Sequence, residues 1–167
     1  MKYITTTIFL LLIAGACTQP QNQNSVKSEY YSGIIETNDP KSMALDEFHY
    51  AYLAKDMSGQ LDIFAEGAVA RINGIEVTPE QMIAGFLNEA NYYRDITQTN
   101  RATSTFIYDN GNVYTNSWYM WTGVSISTGK VVDSPVHAYF RWEGDKVIAA
   151  GFVYDSHDYV MNMPSAK

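Results

Sequence analysis

Cysteine is almost absent from this chain, because Cys17 is the only one among 167 residues. No intramolecular disulfide can form, so burial of apolar side chains has to hold the fold together. Basic residues are also few: 11 Lys and Arg stand against 18 Asp and Glu, for a formal net charge of −7. Without a basic patch, nucleic acid and anionic lipid head groups are excluded as direct partners.

Sequence motifs that mark common metal and cofactor sites are missing as well. No two histidines stand at the helical spacing of metal ligands, and there is no second cysteine to join Cys17. Nothing resembles a phosphate-binding glycine loop or a nucleophile elbow. We therefore expect neither a metal site nor a cofactor, and the function has to be inferred from the fold and from residue placement.

The most apolar run of the chain lies at its N-terminus. Lys2 is followed by an apolar stretch over residues 8–13, too short to span a bilayer, and by small residues at 14–16. This pattern predicts a cleavable secretory signal peptide over residues 1–16. The segment that ends at Cys17 resembles the lipobox of bacterial lipoproteins, although Ala14 stands where Leu is more common. The resemblance implies that Cys17 is lipidated, with an ordinary cleaved signal as the alternative.

Residues 17–38 carry few apolar side chains and are rich in Gln, Asn and Ser. Such a composition predicts a flexible tether behind the acylated cysteine. Thr18 rather than Asp follows Cys17, which favours the outer membrane if the cell is Gram-negative. We therefore expect a protein of the bacterial cell envelope, held at the membrane through acylated Cys17.

Two helix starts are well marked in the next segment. The pair Asp39-Pro40 opens a helix that runs to about residue 55, with Tyr52 on its apolar stripe. Thr78 opens a capping box, and the helix behind it carries Phe86 on its apolar face. A short helix is also predicted over about residues 58–65.

Most of the remaining segments read as β-strands, because β-branched and aromatic residues alternate between turn signals. The predicted strands cover residues 68–72, 75–77, 97–108, 113–123, 131–142 and 147–154. Helices first and an antiparallel meander last predict an α+β fold, with the helices on one face of a curved sheet. The domain is expected over residues 39–160, followed by a C-terminal tail over residues 161–167.

Several of these segments resemble the nuclear transport factor 2-like superfamily, most nearly its SnoaL-like branch. The resemblance lies in residues 64–68 leading into the Asn73-Gly74 turn, and in residues 144–148 opening a last strand that ends at Val153-Tyr154-Asp155. It spans about residues 42–158 and implies a cone-shaped fold with N-terminal helices packed on a curved antiparallel sheet. Members include isomerases, dehydratases, polyketide cyclases, epoxide hydrolases and binding modules without a reaction, so the fold alone does not choose a function.

Strand parity assigns side chains to the two faces of the sheet, because neighbouring residues of a strand point to opposite sides. Pairing outward from a tight turn at Asn110-Gly111, a looser one over 125–129 and another over 143–146 predicts a ligand-binding wall on the concave face. Its members, together with Phe86 from the second helix, are Asn116, Trp118, Met120 and Ser134. Asp155 falls on the same face by this count.

Three residues are candidates for catalysis. Asp155 is the predicted general acid or base, since burial at the cavity end would raise the pKa of its carboxyl. His157 has the same parity and could form an acid–base pair with it. The resemblance to isomerases implies that the Tyr52 hydroxyl serves as an oxyanion donor. Purely structural roles stay open for all three residues.

The convex face of the predicted sheet is aromatic. Parity places Tyr119, Trp121, Tyr139, Phe152 and Tyr154 there, a larger apolar patch than monomers usually expose. The resemblance implies dimers that form through this surface, so we expect a homodimer. His137 is also expected on this face, while His49 is expected to be exposed, beside the apolar stripe of the first helix.

Three functions follow from these predictions. The first is a lipid-anchored domain whose pocket binds a small, partly apolar molecule without catalysis. The second is an isomerase, dehydratase or cyclase that uses Asp155 as acid and base. The third is a structural protein of the envelope that uses the fold only for protein contacts.

Overall fold

The computed structural model describes residues 31–163. The predicted signal peptide, Cys17 and most of the predicted tether lie outside these residues. The helices are α1 (Pro40–Ala54), α2 (Pro79–Asn88) and α3 (His157–Met161). The strands are β1 (Gly33–Glu36), β2 (Phe64–Ile72), β3 (Ile75–Val77), β4 (Tyr93–Tyr108), β5 (Val113–Ser125), β6 (Val131–Glu143) and β7 (Lys146–Tyr154).

The strands form one seven-stranded sheet in the order β1-β4-β5-β6-β7-β2-β3. Neighbouring strands are antiparallel except for β2 and β7, which run parallel. The core lies between one face of the curved sheet and the helices α1 and α2. Phe48 of α1 is 1 % exposed, and its ring centroid lies 5.3 Å from that of Phe140 on β6. The predicted α+β architecture is confirmed.

Both predicted helix starts are present. The Asp39 side chain accepts hydrogen bonds from the backbone N–H groups of Lys41 and Ser42, which satisfies two donors at the start of α1. Thr78 and Gln81 form the reciprocal capping box of α2. These helices are fixed by local chemistry, so the sequence alone places their starts correctly.

Two short segments differ from the prediction. The predicted helix at 58–65 is only a 3-10 turn over Gln60–Ile63, because Phe64 already begins β2 and buries its ring in the core. The strand β1 lies inside the segment that was predicted as tether, and it pairs with β4. All four residues of β1 are exposed, so this strand has no alternating apolar pattern to reveal it.

The predicted concave placement of Asn116, Trp118 and Met120 is wrong. The prediction assumed a two-residue turn at Asn110-Gly111, but Ile107 pairs with Val113, which makes the connection one residue longer. Gly111 has a φ of 85°, as in hairpins where a turn is followed by a left-handed residue. A one-residue change of register moves every side chain of β5 to the other face.

The concave placement of Asp155 is also wrong. The tight turn pairs Trp142 with Val147 as predicted, but a bulge follows, and Arg141 then pairs with Ala149. The additional residue reverses the parity for the rest of β7. Phe152 therefore faces the core, while Asp155 is exposed.

Candidate functional site

An aromatic cavity lies between the concave face of the sheet and the three helices. We call it the cone cavity, and its free volume is about 40 Å³. A space of this size holds roughly two or three water molecules. Its lining residues are His49, Tyr52, Phe86, Glu89, Gln98, Tyr119, Trp121, Ser134, Val136, Phe152, Tyr154 and Tyr159.

A carboxyl group lies at the centre of the polar contacts in this cavity. Glu89 directly follows α2, in the 3-10 turn Glu89–Asn91. The Tyr52 hydroxyl donates a hydrogen bond to Glu89 Oε2, and Trp121 Nε1 donates to the Tyr52 oxygen at 2.7 Å. Tyr159 of α3 also hydrogen-bonds the Glu89 carboxyl. Hydroxyl groups from two helices thus meet one carboxyl group on a turn, and a strand supplies the indole N–H that donates to one of these hydroxyls.

Burial among aromatic rings changes the acidity of this group. It raises the pKa of Glu89 to about 7, although the hydrogen bonds from Tyr52 and Tyr159 act in the opposite direction. Burial and the nearby carboxyl also raise the pKa values of the Tyr52 and Tyr159 hydroxyls. Glu89 can therefore take up or release a proton near neutral pH, while the tyrosines keep theirs.

His49 is a second polar residue in the cavity wall, and its predicted exposure is wrong. It is 1 % exposed, and its ring lies edge-on to Tyr119 with 4.8 Å between the ring centroids. Within the described part of the chain, His49 Nε2 is buried without a hydrogen-bond partner. Burial, with a smaller effect of the Arg101 charge, lowers the pKa of His49 to about 3, so the ring is neutral.

Of the predicted site residues, Tyr52, Phe86 and Ser134 line the cone cavity. The Tyr52 hydroxyl is already engaged with Glu89 and Trp121, as described above. Ser134 Oγ donates to the backbone oxygen of Asp155 at 2.9 Å. The Asp155 carboxylate accepts a hydrogen bond from the backbone N–H of His157, and both side chains are exposed outside the cavity. The predicted pair of Asp155 and His157 is therefore not part of this cavity.

The remaining predicted ligand-binding residues lie on the convex face. Trp118 is 41 % exposed and stacks on His137, with ring centroids 5.0 Å apart. Asn116 Oδ1 lies 2.9 Å from His137 Nε2. Met120 pairs with Pro135 on the same side and borders the same surface groove as Trp118. His137 thus lies on the convex face, as expected.

The predicted aromatic patch on the convex face has a different composition. The register of β5 and the bulge in β7 turn four of the predicted residues toward the cone cavity instead: Tyr119, Trp121, Phe152 and Tyr154. Tyr139 remains on the convex side, where its ring lies against Gly151. Aromatic neighbours on that side are Phe106, Tyr108, Tyr114 and Trp118. The homodimer itself stays a prediction.

Residues 31–163 contain no cluster of three potential metal ligands among His, Cys, Asp and Glu. Over the same residues, no helix combines the length and apolar character that crossing a membrane requires.

No protein-family model matches the chain, and no curated protein matches it. Solved structures do. A candidate polyketide cyclase from Xanthomonas campestris pv. campestris has a TM-score of 0.59 at 18% identity, covering 75% of this chain and 98% of that one. A candidate hydroxylase from Streptomyces galilaeus has a TM-score of 0.56 at 14% identity, covering 76% and 88% of the two chains.

A third similar structure is directly informative about the fold. It is a nuclear transport factor 2-like protein of unknown function from Burkholderia pseudomallei K96243, with a TM-score of 0.57 at 12% identity and coverage of 76% of this chain and 100% of that one. At these identities the likeness establishes the fold alone, and the described functions differ from one structure to the next. The chain has the cone-shaped nuclear transport factor 2-like fold.

Proposed function

We propose that this protein is a lipid-anchored protein of the cell envelope whose cone cavity binds a small, mostly apolar molecule. The observation that carries the proposal is a cavity with mainly aromatic walls that also contains Glu89 and His49, whose Nε2 has no hydrogen-bond partner among residues 31–163. Ligand sites in proteins commonly have this composition, with apolar walls and a few placed polar groups.

A purely structural role fits these residues less well. A half-buried carboxyl, and a buried ring nitrogen that has no partner within the described part of the chain, each cost free energy, because both lose water without full compensation. Leu or Phe at positions 49 and 89 would pack the same space without that cost. Polar groups in such a place are expected when they meet a ligand.

Ligand entry requires part of the wall to move, since the free volume is about 40 Å³. The shortest α-helix in the wall is α3, with five residues near the C-terminal end of the described chain. It contributes Tyr159, whose ring stacks on Tyr93 with centroids 5.0 Å apart. Displacement of Tyr159 would open the cavity beside Glu89.

Mass spectrometry of the folded full chain, purified from its own cells, tests the binding proposal. We expect one small molecule per chain that is released on denaturation. Phe86→Trp, which fills the cavity, should carry none, whereas Leu87→Trp at the neighbouring position, 40 % exposed, should still carry it. Wild-type chain without such a molecule, or equal retention by both variants, would contradict the proposal.

A second candidate function is proton-transfer catalysis of the isomerase, dehydratase or cyclase type. The observation that favours it is the raised pKa of Glu89, about 7, inside the cavity. In this version Glu89 takes the acid–base role that the sequence suggested for Asp155. Tyr52 would hold Glu89 in position through its hydrogen bond.

The lipid anchor is a separate part of the proposal, and it rests on the sequence around Cys17. We expect Cys17→Ser to move the protein from the detergent-rich to the aqueous phase in a detergent partition assay, because the acyl chains are lost. Ser25→Ala, in the same tether, should partition as wild type does. A wild-type protein that already stays in the aqueous phase would indicate an ordinary cleaved signal instead.

A further inference from the structure

Among its described lining residues, the cone cavity has an acidic side chain but no positively charged one. Glu89 is a carboxyl group, and the described residues that line the cavity include neither Lys nor Arg. The nearby cation Arg101 is engaged elsewhere: its Nε lies 3.1 Å from Asp46 Oδ1, and its guanidinium lies over the ring of Tyr50. Among the described lining residues, an ionised Glu89 therefore has hydrogen-bond donors but no cationic partner.

Aromatic rings form most of the remaining wall. The Phe86 ring lies edge-on to Tyr52 and Phe152, with centroid distances of 5.7 and 4.9 Å. Trp121 meets Tyr159 in the same way at 5.5 Å. A cation is attracted to the negative potential of an aromatic ring face, so a wall that contains several rings suits a cation better than a wall of aliphatic side chains does.

We propose that the molecule held in the cone cavity is a small organic ammonium cation, paired with the Glu89 carboxylate and enclosed by the aromatic walls. This inference rests on the proposed function, since it names the class of ligand for the same cavity. An alkylated ammonium group suits the walls because its charge is spread over apolar methyl or methylene groups. Inorganic cations are less suitable, since aromatic walls cannot replace their water ligands.

His49 supplies a second point of recognition. Its Nε2 is buried and unpaired within the described part of the chain, while its ring is in edge contact with Tyr119. A neutral imidazole that carries its proton on Nδ1 accepts a hydrogen bond at Nε2. A hydroxyl or N–H group on the ammonium ligand would satisfy this atom, which selects cations with one additional donor.

Choline and its neutral isostere 3,3-dimethylbutan-1-ol provide a matched pair of probes, because they differ mainly in charge. Both are titrated into the full-length chain by isothermal calorimetry at pH 8. We expect choline to bind at least about tenfold more tightly than the isostere, a ratio equal to about 1.4 kcal/mol. Glu89→Gln should remove this preference, so that choline and the isostere bind with similar affinity. Glu80→Gln, an exposed carboxyl in the first turn of α2, should keep it.

The other outcomes separate the two proposals. Equal binding of choline and the isostere, unaffected by Glu89→Gln, would overturn the cation inference and leave the binding cavity intact. Failure of both probes to bind at millimolar concentration would also overturn it. In that case a different molecule retained by the purified chain would still support the proposed function, and its absence would end both proposals.

Discussion

The folding stability of Glu89→Gln, taken relative to wild type, is expected to be about 3 kcal/mol higher at pH 8 than at pH 4. Burial raises the pKa of Glu89 from its usual 4.5 to about 7 in the folded chain. The folded chain therefore holds a proton between these values that the unfolded chain has lost, so stability falls as pH rises from 4.5 to 7. Each pKa unit corresponds to about 1.4 kcal/mol, and Gln has no proton to lose.

Urea denaturation at pH 4, 6 and 8 measures this effect. Gln keeps an oxygen that can accept the hydrogen bond of Tyr52, so the contact itself survives the substitution. Glu47→Gln on α1 serves as the control, since that side chain is exposed and its replacement should leave the pH profile unchanged. A Glu89→Gln variant whose stability runs parallel to wild type at all three pH values would show that Glu89 is not buried as described.

Wild type is expected to lose up to about 5 kcal/mol of folding stability in acid because of His49, and His49→Phe should not show this loss. The folded chain keeps His49 neutral down to a pKa of about 3, whereas the unfolded residue takes up a proton near 6.5. Between these values the unfolded state binds more protons, so the stability of wild type falls as pH drops from 6.5 to 3. Phe cannot be protonated, and its ring can take the place of the imidazole beside Tyr119.

Denaturation of His49→Phe at pH 3.5, 5 and 7 checks this prediction. His157→Gln is the control, because that residue is exposed and the variant should lose stability in acid as wild type does. A variant that loses stability in acid as steeply as wild type would contradict a buried, neutral His49. In wild type the opposing contributions of His49 and Glu89 overlap between about pH 4.5 and 6.5, where they should largely cancel.

Local features of the fold could be predicted from the sequence because they depend on neighbouring residues. The Asp39 cap and the Thr78 capping box use side chains within three positions of their partners. The faces of β5 and β7 could not be predicted in this way. They depend on one additional residue at Gly111 and on the bulge opposite Arg141 and Trp142. A single additional residue in either place moves the following side chains of the strand to the other face, and the amino-acid composition gives almost no sign of it.

The two main polar residues of the cavity were missed, although the sequence contains a signal for both. His49 lies four residues after Leu45 and three before Tyr52, which is the spacing of one helix face. Glu89 likewise follows Phe86 by three residues, on the stripe that α2 buries. A titratable residue at an apolar position of an amphipathic helix is therefore the pattern that indicates this site.

Titration of the Glu89 side-chain carboxyl by ¹³C NMR, with and without choline, tests the cavity account most directly. The pKa is predicted to be about 7 in the free protein, and to fall when choline is bound because a cation stabilises the carboxylate. A Glu89 pKa near 4.5 that choline does not move would contradict the account.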